Sequence, residues 1–133
     1  MYKVVLACIL VAGMAACSKN HDKPNEGLTG TWLWTEQRAD PGNGSGTWRP
    51  VETIAKAFIT FEGNGAYKDS RSATYNRYTY KQDTVTLYST HSADTFKLSV
   101  QELNSGTLSY YFVYPWYCGG PSGEKFKRVI AID

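Results

Sequence analysis

Turn-forming clusters divide the chain from residue 28 onward into short segments, and this spacing is the feature that most limits the fold. The clusters at 63–65, 82–83 and 104–106 each separate two strand-like stretches. Apolar and polar residues alternate most clearly at 94–103, whereas 107–114 is apolar or aromatic on both faces. The stretches are rich in aromatic and β-branched residues, which suit a pleated sheet surface. The pattern predicts eight strands at 31–38, 56–62, 66–70, 74–81, 84–88, 94–103, 107–114 and 124–132.

Eight short strands without a predicted helix leave a sandwich or a closed barrel. Closure removes the exposed strand edges that invite aggregation, and sequential hairpins favour an up-and-down strand order. An eight-stranded barrel is just wide enough to be filled by side chains or to hold one small ligand. We therefore expect residues 28–133 to form an all-β domain, an eight-stranded antiparallel up-and-down barrel.

The glycine-rich segment 40–46 and the Trp48-Arg49-Pro50 run after it predict one long loop. The glycines superficially resemble those of a phosphate-binding loop. Such a loop would need a strand before it and a helix N-terminus after it. Pro50 and the strand-like run that follows do not provide a helix, so a phosphate site is rejected.

The first residues are typical of a bacterial lipoprotein signal. Lys3 precedes an apolar run that is too short to span a bilayer, and residues 14–17 (Met-Ala-Ala-Cys) resemble a lipobox. This predicts a signal peptide at 1–16 and a flexible tether at 17–27 that begins at a lipidated Cys17. Several acyl chains, such as palmitate, anchor firmly because each buried CH₂ contributes about 0.8 kcal/mol. Ser18 favours delivery to the outer membrane, with the side of that membrane left open.

Three cysteines are present in the chain, and two have an assigned fate. Cys8 leaves with the signal and Cys17 carries the lipid. Cys118 then has no partner within the chain, so the domain must be stable without an internal disulfide. Two alternatives remain for Cys118: burial as a free thiol, or pairing with another molecule.

Charge and histidine content argue against several classes of function. The net charge is only +2 and no basic block is present, so nucleic-acid binding is not expected. His21 and His91 have no ligands at metal-site spacing, and no cofactor is expected. His91 and Asp94 lie near several serines, but no nucleophile elbow accompanies them, so an enzyme is not expected.

Short motifs in a characteristic order carry a resemblance to a known family. Gly30-Thr31-Trp32 resembles the Gly-x-Trp signature of lipocalins, and Arg128 resembles the arginine that lies over that tryptophan. The chain is similar to small lipocalin-like lipoproteins of Gram-negative bacteria through the segments 41–46, 50–51, 59–65 and 125–129. Relatives often carry a cysteine pair before the last strand, whereas Cys118 is alone. The resemblance implies a barrel closed at Trp32, with any ligand at the opposite end.

If the first strand buries Trp32 and Trp34, strict alternation also points Glu36 and Arg38 towards the interior or its rim. Glu36 and a set of tyrosines would then line a pocket for an amphipathic ligand. The alternative is that Glu36 lies at the rim while the tyrosines fill the core. The candidate ligand-binding residues are Trp34, Glu36, Tyr78, Tyr80, Tyr110 and Tyr114.

Three functions are compatible with these features. The first is a membrane-anchored, monomeric binder of a small apolar or amphipathic molecule. The second is an envelope-anchored interaction module or inhibitor that uses exposed aromatics at Trp48 and in the 115–117 loop. The third is a structural envelope protein without a ligand.

Overall fold

The structure is a computed structural model that describes residues 27–40, 45–52, 56–113 and 122–130. Within these residues the chain forms nine β-strands in one antiparallel sheet, and no helix there is long and apolar enough to cross a membrane. The predicted signal segment, Cys17, Cys118 and the 115–117 loop lie outside the described residues. The strands are β1 (Gly30–Ala39), β2 (Thr47–Pro50), β3 (Phe58–Phe61), β4 (Tyr67–Asp69), β5 (Arg77–Lys81), β6 (Thr84–Tyr88), β7 (Thr95–Leu103), β8 (Thr107–Val113) and β9 (Gly123–Arg128).

Eight of these strands form the predicted up-and-down barrel. Their order is β4-β3-β1-β9-β8-β7-β6-β5. Neighbours in this order follow one another in the chain, apart from β2 between β1 and β3 and the return of β9 to β1. The last gap lies between β4 and β5. It is narrowed by one bridge between Ala66 and Arg77 and by a hydrogen bond of 2.9 Å from Tyr67 N to Asn76 O. The barrel is therefore nearly closed.

The ninth strand, β2, corrects the prediction of a long loop through residues 48–50. The first half of β1 pairs with β3, and its second half pairs with β2, with Arg38 opposite Trp48. β1 is ten residues long and β3 covers only its first part, so β2 supplies hydrogen-bond partners for the remainder. Pro50, which has no backbone N–H, stands at the end of the added strand.

Trp32 closes one end of the barrel, as predicted. Its side chain is fully buried, and its indole Nε1 donates a hydrogen bond of 2.9 Å to Leu28 O. The Arg128 guanidinium lies 4.2 Å from the ring centroid and donates to Thr29 O at 2.8 Å. A guanidinium over an indole face contributes roughly 0.5–2 kcal/mol, so Arg128 secures the last strand to the first.

The barrel core continues from Trp32 towards the opposite end of the barrel. Phe61 packs against Tyr67 and Tyr78, with ring centroids 5.2 and 4.9 Å apart. The largest fully buried side chains are Trp32, Phe61, Phe126, Leu28, Ile59, Leu98, Leu108 and Val85. This half of the interior is filled by side chains.

Candidate functional site

A cavity of about 190 Å³ occupies the end of the barrel opposite Trp32. Its apolar wall comes from β6, β7 and β8 and from the segment that follows β4. The cavity meets the end of β8 and the start of β9, whereas Arg128 ends β9 beside Trp32, so the two features lie at opposite ends. The apolar wall consists of Tyr75, Leu87, Phe96, Leu98 and Phe112.

The remaining part of the cavity lining is polar and centres on Arg71. Arg71 Nη1 lies 2.5 Å from Glu124 Oε1, and its Nη2 lies 2.8 Å from Asp69 Oδ2. The Tyr110 hydroxyl donates to Glu124 Oε2 at 2.5 Å, and the Tyr67 hydroxyl donates to Asp69 Oδ2 at 3.3 Å. We call these five residues the Arg71 cluster. It joins two carboxylates, one guanidinium and two phenols in a single network.

Local backbone geometry places each member of the cluster. Tyr110 and Glu124 are directly opposite each other on β8 and β9, so their hydrogen bond links a cross-strand pair. Asp69 ends β4 and accepts a hydrogen bond of 2.9 Å from the Arg71 backbone N–H. This tight turn directs the Arg71 side chain back across the barrel, where its Cζ lies 4.7 Å from the Trp34 ring centroid.

Burial and neighbouring charges shift the titration of the cluster. Burial and then the Glu124 carboxylate raise the pKa of the Tyr110 phenol well above its ordinary value. Burial and the Asp69 carboxylate raise the pKa of Tyr67 in the same way. Burial alone would lower the pKa of Arg71, but its hydrogen bonds to Asp69 and Glu124 outweigh burial and raise it. At neutral pH both phenols are therefore neutral donors and Arg71 is charged.

The structure brings only some of the predicted ligand residues to the cavity. Tyr110 lines it, and Trp34 packs beneath Arg71, with its buried indole Nε1 unpaired among the described residues. Tyr78 donates to Glu62 O at 2.8 Å below the cavity, and Tyr80 donates to Asp83 at 3.2 Å near the β5–β6 turn. Tyr114 lies outside the described residues.

Glu36 does not face the interior, which corrects the expectation from strict alternation. A β-bulge between Trp34 and Glu36 inserts Thr35, so the side-chain alternation reverses after it. Glu36 then stands opposite Lys125, whose neighbours Glu124 and Phe126 point inward, and its Oε2 lies 3.8 Å from Lys125 Nζ. Glu36 is on the outer wall of the barrel and cannot contact a ligand in the cavity.

Sequence reasoning missed Asp69, Arg71 and Glu124. Glu124 had a usable signal, because it shares alternation parity with Phe126 on the last strand. Asp69 and Arg71 read as ordinary polar turn residues, and only the folded turn shows that Arg71 reaches across the barrel.

The aromatic side chain of Trp48 is held against the outer wall and does not project from a loop. It stacks on Tyr111 with ring centroids 6.2 Å apart, and Lys125 Nζ lies 4.5 Å from its ring. Its partner in the predicted patch, the 115–117 loop, is outside the described residues.

The described residues show no cluster of three or more His, Cys, Asp or Glu side chains that could hold a metal ion. His91 lies in the exposed 89–94 turn, where its backbone N–H donates to Ser89 Oγ at 3.1 Å. The nearby Ser92 hydroxyl donates to Asp94 at 3.3 Å. These contacts are those of a hydrogen-bonded turn, and none of the residues 89–94 lines the cavity.

Comparison of the chain with protein-family models, with curated protein sequences and with solved structures finds no match.

Proposed function

We propose that this chain is a membrane-anchored, lipocalin-like lipoprotein whose barrel binds a small apolar or amphipathic molecule without transforming it. The observation that carries the proposal is the cavity of about 190 Å³ at the end opposite Trp32. Ligand pockets are mostly apolar with a few placed polar groups, and this cavity combines an aromatic and aliphatic lining with the polar Arg71 cluster. An empty apolar cavity of 150 Å³ is large enough for benzene, so the ligand portion inside the barrel is about one ring or a short chain.

The anchor belongs to the same proposal. The lipobox-like residues before Cys17 and the polar tether after it support lipidation at Cys17 and attachment to the outer membrane. The tether would hold the barrel close to the membrane surface, where apolar and amphipathic molecules are concentrated. The barrel is proposed to act as a monomer.

Mass spectrometry of the chain purified from its host membranes in detergent tests both parts. Under denaturing conditions the expected mass is that of a chain beginning at Cys17 with acyl groups attached. Under native conditions an additional small-molecule mass is expected. A chain that retains residues 1–16 would contradict the anchor. A bare native mass that co-purifies with a protein partner would contradict binding in the barrel and favour an interaction module.

A matched pair of variants locates the small molecule. Thr74 is exposed at the cavity rim, and a Thr74→Trp side chain would block the cavity without disturbing the core. Thr79→Trp adds the same bulk at an exposed position on β5 that does not line the cavity. The bound mass should disappear from Thr74→Trp and remain in Thr79→Trp. Retention in both variants would place the ligand elsewhere.

A further inference from the structure

The charges that face the cavity do not balance. Of the side chains that line it, Asp69 and Glu124 are acids and Arg71 is the single base, so the lining carries a formal charge of −1. The acids are well shielded from solvent, with side-chain exposures of 12% for Asp69 and 11% for Glu124. A partly buried excess charge is costly unless a counter-charge approaches it.

Arg71 already donates hydrogen bonds to both carboxylates, those of Asp69 and Glu124. Its Nε donates to Asp69 at 2.9 Å, its Nη1 to Glu124 at 2.5 Å, and its Nη2 to Asp69 at 2.8 Å and to Glu124 at 3.2 Å. One face of the guanidinium covers the Trp34 ring. An anionic ligand would have to displace these hydrogen bonds and would then meet two carboxylates. The cluster therefore disfavours a carboxylate or phosphate head group.

The apolar part of the cavity lining is mainly aromatic and adjoins the Arg71 cluster at Tyr110. The Tyr75 and Phe96 rings stack with centroids 6.3 Å apart, and Phe112 lies 5.7 Å from Phe96 and 5.9 Å from Tyr110. Aromatic faces attract organic cations through the ring quadrupole, and aromatic cages are a recurrent means of recognising ammonium groups. An excess carboxylate charge and a row of aromatic rings both favour the same sign of ligand charge.

We propose that the cavity selects a small organic cation, an amine or ammonium that carries an apolar group of about one ring. This inference rests on the proposed function and deepens it, because it assigns the charge of the ligand. The ammonium would lie between the Asp69 and Glu124 carboxylates and the aromatic wall. The apolar group would lie against Leu87 and Leu98.

Three probes of similar size and different charge test the inference on the full chain in detergent. They are phenethylamine (cationic at neutral pH), 2-phenylethanol (neutral) and phenylacetate (anionic), each titrated by isothermal calorimetry. Phenethylamine should bind at least about tenfold more tightly than 2-phenylethanol, and phenylacetate should bind most weakly. Equal or tighter binding of either competitor would overturn the cation assignment while leaving a ligand-binding barrel.

If none of the three probes binds, the molecule carried by the host-purified chain decides the matter. A cationic molecule there supports the assignment, and a neutral or anionic one overturns it. A chain that carries no molecule and binds no probe overturns both this inference and the proposed function.

Variants that each remove one negative charge distinguish the contribution of the carboxylates to amine binding from that of the rest of the cavity. Glu124→Gln keeps the size of the side chain and an oxygen for Tyr110 and Arg71, and it removes the excess charge. The affinity for phenethylamine should fall about tenfold and that for 2-phenylethanol should not change. Asp69→Asn removes the same charge from the other side and should have the same effect, which covers the case in which Glu124→Gln does not fold.

The matched control is Glu62→Gln. Glu62 pairs with Lys68 at 2.8 Å on the surface and does not line the cavity. Its affinity for phenethylamine should equal that of the parent. A tenfold loss in this variant as well would show that the overall charge of the protein, and not the cavity, attracts the amine.

Discussion

Arg71 shows how one side chain can organise a binding cavity from a turn. It hydrogen-bonds to Asp69, two residues before it in sequence, and to Glu124 on the last strand, and it covers Trp34 of the first strand. Charge-assisted hydrogen bonds of this kind are roughly twice as strong as neutral ones. Removing one partner of such a partly buried network is costly, because the remaining charges lose their compensation.

The Tyr110 phenol makes the free energy of unfolding depend on pH in the alkaline range. Its pKa is raised in the folded protein, so between the unfolded value of about 10 and the higher folded value only the unfolded chain loses the proton. Deprotonation then favours unfolding, and the free energy of unfolding should fall above pH 10 by about 1.4 kcal/mol per pH unit for this residue. The pKa of Tyr67 is also raised in the folded protein, so Tyr67 should add a similar fall in the free energy of unfolding per pH unit.

Tyr110→Phe tests this pH dependence. At pH 8 the variant should be less stable by about 1.5–3 kcal/mol, because the hydrogen bond to the Glu124 carboxylate is lost. Above pH 10 its stability should decline less steeply than that of the parent, by about 1.4 kcal/mol per pH unit. Urea unfolding at pH 8, 10, 10.5 and 11 measures both effects. Identical slopes in the two proteins would mean that Tyr110 ionises in the folded state.

The alternation of apolar and polar side chains predicted the strands of the barrel more reliably than it predicted the residues that line the cavity. The closure of Trp32 by Arg128 was predicted through the resemblance to lipocalins, and Tyr110 was predicted because it lies in a continuous apolar and aromatic stretch between clear turn signals. Glu36 was misplaced because a bulge is a single inserted residue, and Thr35 is as strand-compatible as its neighbours. Arg71 was not predicted because turn geometry, and not periodicity, directs its side chain.

At the scale of the elements, the bulge in β1 has a second effect on the outer wall. After it, Arg38 stands opposite both Trp48 of β2 and Gly123 of β9, and Gly123 stands opposite Tyr111 of β8. Because Gly123 has no side chain, the Trp48 and Tyr111 rings meet above it, and the Arg38 guanidinium lies 5.3 Å from the Tyr111 ring. The glycine therefore allows β2 to dock onto strands that it does not pair with.

Gly123→Ala should destabilise the protein by about 1–3 kcal/mol, the usual range for overpacking. An added Cβ would overlap the Tyr110 carbonyl oxygen and lie 2.8 Å from the Tyr111 ring, so β8 and β9 would have to separate. The control is Gly63→Ala, where a Cβ would meet no atom within 4 Å, and its stability should be unchanged or slightly raised. Thermal unfolding of both variants measures the difference, and equal midpoints would contradict the close packing around Gly123.

At the scale of the whole molecule, the barrel is closed by two junctions of very different strength. β1 and β9, which bring the two ends of the domain together, share a ladder of six register pairs. β4 and β5 are joined by one bridge and two backbone hydrogen bonds, and the Phe61 ring packs against both Tyr67 of β4 and Tyr78 of β5. The weaker junction, between β4 and β5, is called the seam here, and it lies in the middle of the sequence. The turn that carries Arg71 comes directly after β4.

Amide hydrogen exchange should locate this seam. The Tyr67 amide bonds to Asn76 O and the Tyr78 amide to Gly65 O, so both protons report the separation of β4 from β5. Regions with few backbone hydrogen bonds open at lower free energy than the rest of a fold. We expect these two amides to exchange at least about tenfold faster than those in the centre of β8 and β9, a difference of about 1.4 kcal/mol in opening free energy. Equal protection would mean that the rings close the seam as firmly as a full ladder does, and the barrel would then open only by global unfolding.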